Sequence, residues 1–514
     1  MTEDAPRLLW LNGAPGAGKS SIATSVARHF VKNGLLWAQF FISRNHKSTT
    51  NPKSIFPSIA RQLVNHSPYS AAACAIHDAL KADCTILDFL SDSQVAELFV
   101  KPIKAEHVSH PSVPIVVVID AMDECESQLR ELARILAGTV KELPCNAKLF
   151  ISSRIEEDIR VHFSFLPDTK HSNSAMHISL DNSAAINDVA KFFTKQIGKI
   201  VEERGEEWSN WPGEARMKEL CDKASGLFIW AVTATNFIRT RIEDDGLECR
   251  DDVLDELNSE GMETVDDLYD HILRRISSDK RGNWAAGRFR NIVGAIVCLR
   301  EPLPLSALKD LLDLRKPMGK RSPVDVQNFV RKFRTVLVTG TEDVTDETIP
   351  RLHKSFIEFI TGERAGALRV HRGSTDEDLA IKCLRQVNGL RRNQCGIEHW
   401  AAFNKDIPDL KANIDLHLTA QLRYACRFWA HHLPKQEIGA VDVELRDTAR
   451  LSTLTQLLRE FFCKHLLHWI EAMSLLESSA VPPLLKKAKE WGDVRIFPCF
   501  TVLYSPTLVD RMSR

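Results

Sequence analysis

No run in this 514-residue chain approaches the roughly 18 to 20 consecutive apolar residues that an α-helical membrane span needs. The first seven residues, MTEDAPR, carry acid where a secretory signal needs base, and the apolar stretch behind them is short. Charge of one sign is also missing: 67 basic residues face 68 acidic ones, so no global field draws the chain to nucleic acid or an anionic surface. Twelve cysteines, Cys74 to Cys499, include no CxxC pair and no zinc-finger spacing. They read as reduced, mostly buried thiols, and a soluble, cytoplasmic protein is expected. Internal repeats and low-complexity tracts are lacking too. With 44% hydrophobic residues the chain can build true cores, and its length calls for three to four of them.

What is present starts almost at the first residue. The apolar run Leu8-Leu9-Trp10-Leu11 leads into GAPGAGKS, Gly13 to Ser20, followed by helical sequence from Ser20 to Val31. That is a phosphate-binding P-loop between a strand and a helix. Gly13, Gly16 and Gly18 permit backbone angles that let successive N–H groups turn inward, with Ala14, Pro15, Ala17 and Ser21 completing the cradle. Lys19 is expected to reach the β- and γ-phosphates, and the Ser20 hydroxyl to ligate Mg²⁺.

Strands are expected at Arg7 to Asn12, Leu35 to Ser43, Val113 to Asp120, Ala147 to Ser152 and His177 to Leu180, with helices such as Ser54 to Asn65 and Gln128 to Glu142 between them. Such alternation predicts an α/β fold with a five-stranded parallel sheet. Beyond Leu180 the pattern turns helical, with helical periodicity over Asn187 to Ile200 and Met217 to Thr240. Between about Arg288 and Ile360, three helices and a strand at Phe333 to Thr339 outline a winged helix. The remainder reads as helical. The expected division is 1–180 for the nucleotide-binding domain, 181–280 for a helical lid, 281–365 for the winged helix and 366–514 for a C-terminal helical domain.

The second strong motif is IVVVIDAMDE, Ile115 to Glu124, in which five β-formers end in Asp120 at the strand edge where α/β ligands bind. Asp120 is the expected Walker B carboxylate, holding Mg²⁺ with Ser20. Glu124 is the candidate base for the attacking water and Asp123 its support, although Asp123 serves equally well as a helix N-cap. The third motif, KLFISSR, ends a strand in Ser152, Ser153 and Arg154. If that strand lies between the P-loop and Walker B strands, Arg154 can sense a γ-phosphate. The roughly 100 residues between Lys19 and Asp120 leave room for such an additional strand.

Taken in order, GAPGAGKS, VVVIDAMDE and FISSR resemble the NACHT group of STAND NTPases, with an N-terminal region of the nephrocystin-3 type. Ala121 fits that group's small residue after the Walker B aspartate. The later stretches ASGLFIWA (Ala224 to Ala231), LHKSFIEFI (Leu352 to Ile360) and YACRFWAHHL (Tyr424 to Leu433) resemble the fungal members. The resemblance implies an ATP/ADP and Mg²⁺-dependent signalling switch with slow hydrolysis, self-oligomerisation and protein partners. It implies that His353 touches the ADP β-phosphate; by sequence alone His353 is equally a core histidine. Many relatives carry a GxP motif on the lid, whereas Gly226-Leu227-Phe228 has no proline, which weakens the adenine assignment. The family also places an effector before the P-loop and a sensor after the helices, so the chain is expected to be a fragment. A multiple-turnover ATPase or kinase, and a nucleotide-stabilised scaffold, are the competing readings. Nucleic acid is disfavoured because basic residues are not concentrated in the winged-helix stretch, and Phe461 to Leu476 reads as core rather than as a membrane-binding face.

Overall fold

Five short apolar runs become five strands: β1 (Leu8–Asn12), β2 (Leu36–Phe41), β3 (Ile115–Asp120), β4 (Ala147–Ser153) and β5 (Ala175–Ser179). In the computed structural model they form one parallel sheet of order β2-β3-β4-β1-β5. The described residues are 6–43, 49–125, 127–163, 175–180, 183–204, 208, 210–277, 284–314, 326–337, 345–350, 352–397, 403–434 and 448–492. β4 lies between the P-loop strand β1 and the aspartate-bearing strand β3, the additional-strand arrangement. All six residues of β3 are buried, because helices cover both faces. Ile115, Val117 and Ile119 enter one core; Val116 and Val118 enter the other, with Ala23 and Ala27 of helix α1 (Lys19–Lys32). Each such aliphatic side chain contributes about 1.5 to 3 kcal/mol on burial. The small residues Ala23 and Ala27 bring α1 close to the sheet, which fixes the loop at its N-terminus.

β2 is an edge strand, and the Gln62 side chain covers part of its open rim. Its amide accepts the Gln39 N–H at 3.0 Å and donates to the Gln39 carbonyl at 2.9 Å, standing in for a neighbouring strand.

The chain divides into two units, Met1–Leu268 and Tyr269–Arg514. In the first, the helical stretch expected over Met217 to Thr240 is two helices, Glu214–Ala224 and Phe228–Asp245. Ser225 (φ 47°) and Gly226 (φ 80°) are both left-handed, and this ends the first helix. Periodicity spans such a break, which is why it did not register in the pattern.

The second unit is helical throughout its described elements. The strand expected at Phe333 to Thr339 is helix from Arg334 to Leu337; Val338 and Thr339 lie outside the described residues. Phe329 and Phe333, four apart, pack at 4.7 Å, and Phe333 meets Phe289 at 5.0 Å. That spacing is helical, so packing overrode the β propensity of the run. Phe461 and Trp469 are fully buried against Trp429, so Phe461 to Leu476 contributes to the core as expected.

The YACRFWAHHL stretch earns its polar residues in a buried network. His432, fully buried, bonds Asp376 Oδ1 through Nδ1 at 2.6 Å and the Tyr424 hydroxyl through Nε2 at 2.7 Å. The Arg300 backbone N–H donates to that hydroxyl at 2.9 Å, and its guanidinium donates to Asp376 at 2.9 Å. With the tyrosine oxygen already accepting, its proton goes to Nε2, and His432 donates its own from Nδ1 to the carboxylate. Burial holds the Tyr424 pKa well above its ordinary value. Tyr424→Phe removes the hydroxyl that bonds both His432 Nε2 and the Arg300 backbone N–H in the buried network, so urea unfolding is expected to lose about 2 kcal/mol. An unchanged unfolding free energy would remove the network from the account of this unit's stability.

No helix among the described residues is long and apolar enough to cross a membrane.

Candidate nucleotide-binding site

β1 ends in the fully buried Asn12, and the chain turns through residues 13–18 into α1. Gly16 (φ 80°) and Gly18 (φ 92°) take left-handed angles that side chains resist, and Gly18 is the N-cap of α1. No side chain caps α1, and its first turn holds no acidic residue. Its leading N–H groups therefore suit an anion. The Lys19 ammonium folds along the loop and donates to the carbonyls of Gly13 at 2.7 Å and Ala14 at 2.9 Å. It thus holds positive charge against the loop.

The end of β3 places Asp120, 2% exposed, beside α1. Its carboxylate accepts a hydrogen bond from the Ser152 hydroxyl, and the Ser20 hydroxyl is near enough to favour its charged form. Burial pushes the Asp120 pKa up; the Ser152 hydrogen bond and the Ser20 hydroxyl oppose the shift, the Asp123 charge adds to it, and Lys19 opposes it. A carboxylate desolvated and left partly uncompensated is what a divalent cation stabilises, and Ser20 and Asp120 are oxygen donors of the hard type that Mg²⁺ takes. The site's residues therefore fit a nucleotide with Mg²⁺.

Ser152 is a site residue that sequence reasoning passed over. Besides donating to Asp120, its hydroxyl accepts the Ala121 N–H at 3.0 Å. Ala121 itself is left-handed (φ 60°), which explains its small size: a β-branched residue would be strained there. The available signal was the serine doublet at the end of a strand next to β3.

Asp123 and Arg154 come together. The Asp123 carboxylate, 3% exposed, accepts the Arg154 backbone N–H at 3.0 Å and lies 3.4 Å from its guanidinium. Asp123 therefore ties the end of β4 to the turn after β3. Glu124 closes that turn, its N–H bonded to the Ala121 carbonyl at 2.8 Å. Burial together with the charges of Asp123 and Glu124 pushes the adjacent Cys125 thiol up to about 12, so it is held protonated. Beneath the loop, Asn12 is hydrogen-bonded to His177 of β5, whose ring stacks on Trp10 at 4.6 Å. Burial lowers the His177 pKa.

The candidates Gly13 to Ser21, Asp120, Asp123, Glu124 and Arg154 thus gather at the carboxyl ends of β1, β3 and β4. His353 belongs to the second unit, where its Nδ1 accepts the Ser355 N–H at 3.2 Å and caps the helix Lys354–Thr361.

Residues 1–154 match a protein-family model described as nephrocystin 3, N-terminal. The vegetative incompatibility protein HET-E-1 of Podospora anserina is 22% identical over 505 residues, covering 92% of this chain and 34% of its own length. The chain thus spans about a third of that relative. Among solved structures, the Aeropyrum pernix ORC2 protein in ADPNP and ADP complexes aligns over 71% of this chain and 88% of its own, at 14% identity and TM-score 0.27. Drosophila ORC bound to DNA aligns over 72% of this chain and 93% of its own, at 12% identity and TM-score 0.24. At such TM-scores the likeness lends no support to fold or function. By these matches the chain is similar to the N-terminal region of nephrocystin 3 over residues 1–154 and, along most of its own length, to about a third of HET-E-1.

Proposed function

We propose that the chain is the nucleotide-operated part of a STAND-type signalling switch, binding ADP at rest and exchanging it for ATP on activation. The observation that carries the reading is the buried Asp120 carboxylate, hydrogen-bonded to Ser152, at the end of the strand beside a loop whose Gly16 and Gly18 are left-handed. Residues 13–21 would hold the phosphates, with Lys19 as counter-charge, while Ser20 and Asp120 would hold Mg²⁺, which supplies neutralisation of phosphate charge. Glu124 is the proposed base toward water, Asp123 positions Arg154, and Arg154 is the residue offered to a γ-phosphate. His353 is assigned to the β-phosphate on the strength of the family resemblance. A ligand shifts a conformational equilibrium only through contacts that differ between states, and γ-phosphate contacts are such a difference. Exchange would then control self-oligomerisation and protein partners in the cytoplasm, in signalling of the innate-immunity kind.

Chromatography of the nucleotide released on denaturing the purified protein tests this directly. Stoichiometric ADP is expected; an empty protein that also fails to bind added ADP or ATP would sink the proposal. Glu124→Gln should keep ATP affinity while phosphate release falls by about 100-fold, within the range for losing a general base. Equal turnover in both proteins would take Glu124 out of its role, and rapid turnover by the unstimulated wild type would favour a multiple-turnover ATPase.

A further inference from the structure

The first turn of the helix Phe228–Asp245 lies against the P-loop. The Ile229 N–H, one of the donors that a helix start leaves without an internal partner, bonds the Gly16 carbonyl at 3.2 Å. A Cβ built on Gly16 would fall 2.1 Å from Ile229 Cγ2 and 2.6 Å from Ile229 Cβ; one on Gly18 would fall 3.2 Å from the Phe228 ring. The two glycines are thus required twice over, by their left-handed backbone and by the side chains seated on them. This turn is itself held in place. Phe228 packs edge-on to Phe192 at 5.4 Å, and Trp230 to Phe193 at 6.0 Å, joining it to the helix Ser183–Arg204. The left-handed pair Ser225 and Gly226 aims the turn at the loop, with Gly226 against Ile186.

We infer that Phe228 and Ile229 are positioning residues for phosphate binding: they brace the P-loop at Gly16 and Gly18 so that the loop keeps the conformation an anion needs. The inference rests on the nucleotide reading of the loop and gives Phe228 and Ile229 of the ASGLFIWA stretch a role that the sequence did not assign them. A loop held through the Gly16 carbonyl does not spend its N–H groups on the brace, so phosphate can be accepted at the same time and the two contacts reinforce each other. By reciprocity, whatever phosphate binding gains from the brace, the brace gains from phosphate. The hydrogen bond from Ile229 does not depend on its side chain, whereas the seating on Gly16 depends on its β-branch. Ile229→Ala therefore removes the packing and keeps the bond, and Ile229→Val keeps both.

The test compares full-length wild type, Ile229→Ala and Ile229→Val. Amide hydrogen exchange is read without nucleotide, and titration with Mg²⁺ and ADP follows. Ile229→Ala should speed exchange in the peptide covering Gly13 to Ser20 and weaken ADP binding about tenfold, a mid-range coupling between linked sites. Ile229→Val should behave as wild type in both. Wild-type exchange at Phe228 to Val232 should slow when ADP binds. If loop exchange is the same in wild type and Ile229→Ala, the brace is overturned whether or not nucleotide binds. If the loop loosens and ADP affinity holds, the role in phosphate binding is overturned. A loop that loosens in a protein whose wild type binds no ADP would uphold the brace and count against the nucleotide reading instead.

Discussion

Lys19→Ala is expected to lower ADP and ATP affinity by about 100- to 1,000-fold, the cost of truncating one member of a desolvated charge pair. The ammonium lies along the loop, bonded to the Gly13 and Ala14 carbonyls, so the charge is already in place before a phosphate arrives. Its removal deletes the counter-charge and leaves the fold alone: Lys19 is half-buried at the first position of α1, where alanine is a good helix former. Isothermal titration with Mg²⁺ and ADP, alongside a thermal melt, separates the two effects. An unchanged dissociation constant in a folded Lys19→Ala protein would remove residues 13–21 as the phosphate site.

Asp120→Asn should move stability and binding in opposite directions. The amide keeps the shape, and its oxygen still accepts from Ser152, while the buried charge disappears. In the nucleotide-free protein the variant should melt higher at pH 7, because burial has raised the Asp120 pKa and ionisation there opposes folding. A carboxyl with a raised folded pKa costs nothing below its unfolded value of about 3.9, costs more as pH climbs from there to the folded value, and costs a constant amount above it. The melting-temperature gap between variant and wild type should therefore narrow as pH falls through that window. In the same variant, the contribution of Mg²⁺ to nucleotide affinity should drop by about 10- to 100-fold, as for altered metal-site groups generally. A variant that melts lower at pH 7 would show that the carboxylate is held by attraction rather than strained by burial; one that keeps its Mg²⁺ dependence would assign the ion to other oxygens.

The role of His353 stands as part of the proposal above. The sheet itself was legible, since each strand is an apolar run closed by polar or glycine-containing sequence, and β3 reads IVVVID because both its faces are buried. The P-loop motif was legible because its pattern is local: glycines, a lysine and a serine fall within one turn before a helix. Two kinds of feature were not. At Phe333 the sequence offers β-formers, and helix wins through contacts with Phe289 and Phe329 that only packing supplies.

Pairings across long sequence separations were equally hidden. Ser152 meets Asp120 from 32 residues away, Asp123 meets Arg154 from 31, and Ile229 lies on Gly16 through a left-handed break that periodicity passes over. The amino-acid sequence by itself determined the parallel sheet and the chemical character of the loop, because hydrophobic period and glycine placement act over a few residues. Only the tertiary structure decided what Asp120, Asp123 and the two loop glycines touch: β4 lies between β1 and β3, and the helix Phe228–Asp245 starts where Ser225 and Gly226 turn the chain. Those partners are set by burial and by the competition of buried polar groups for one another, which no local pattern encodes.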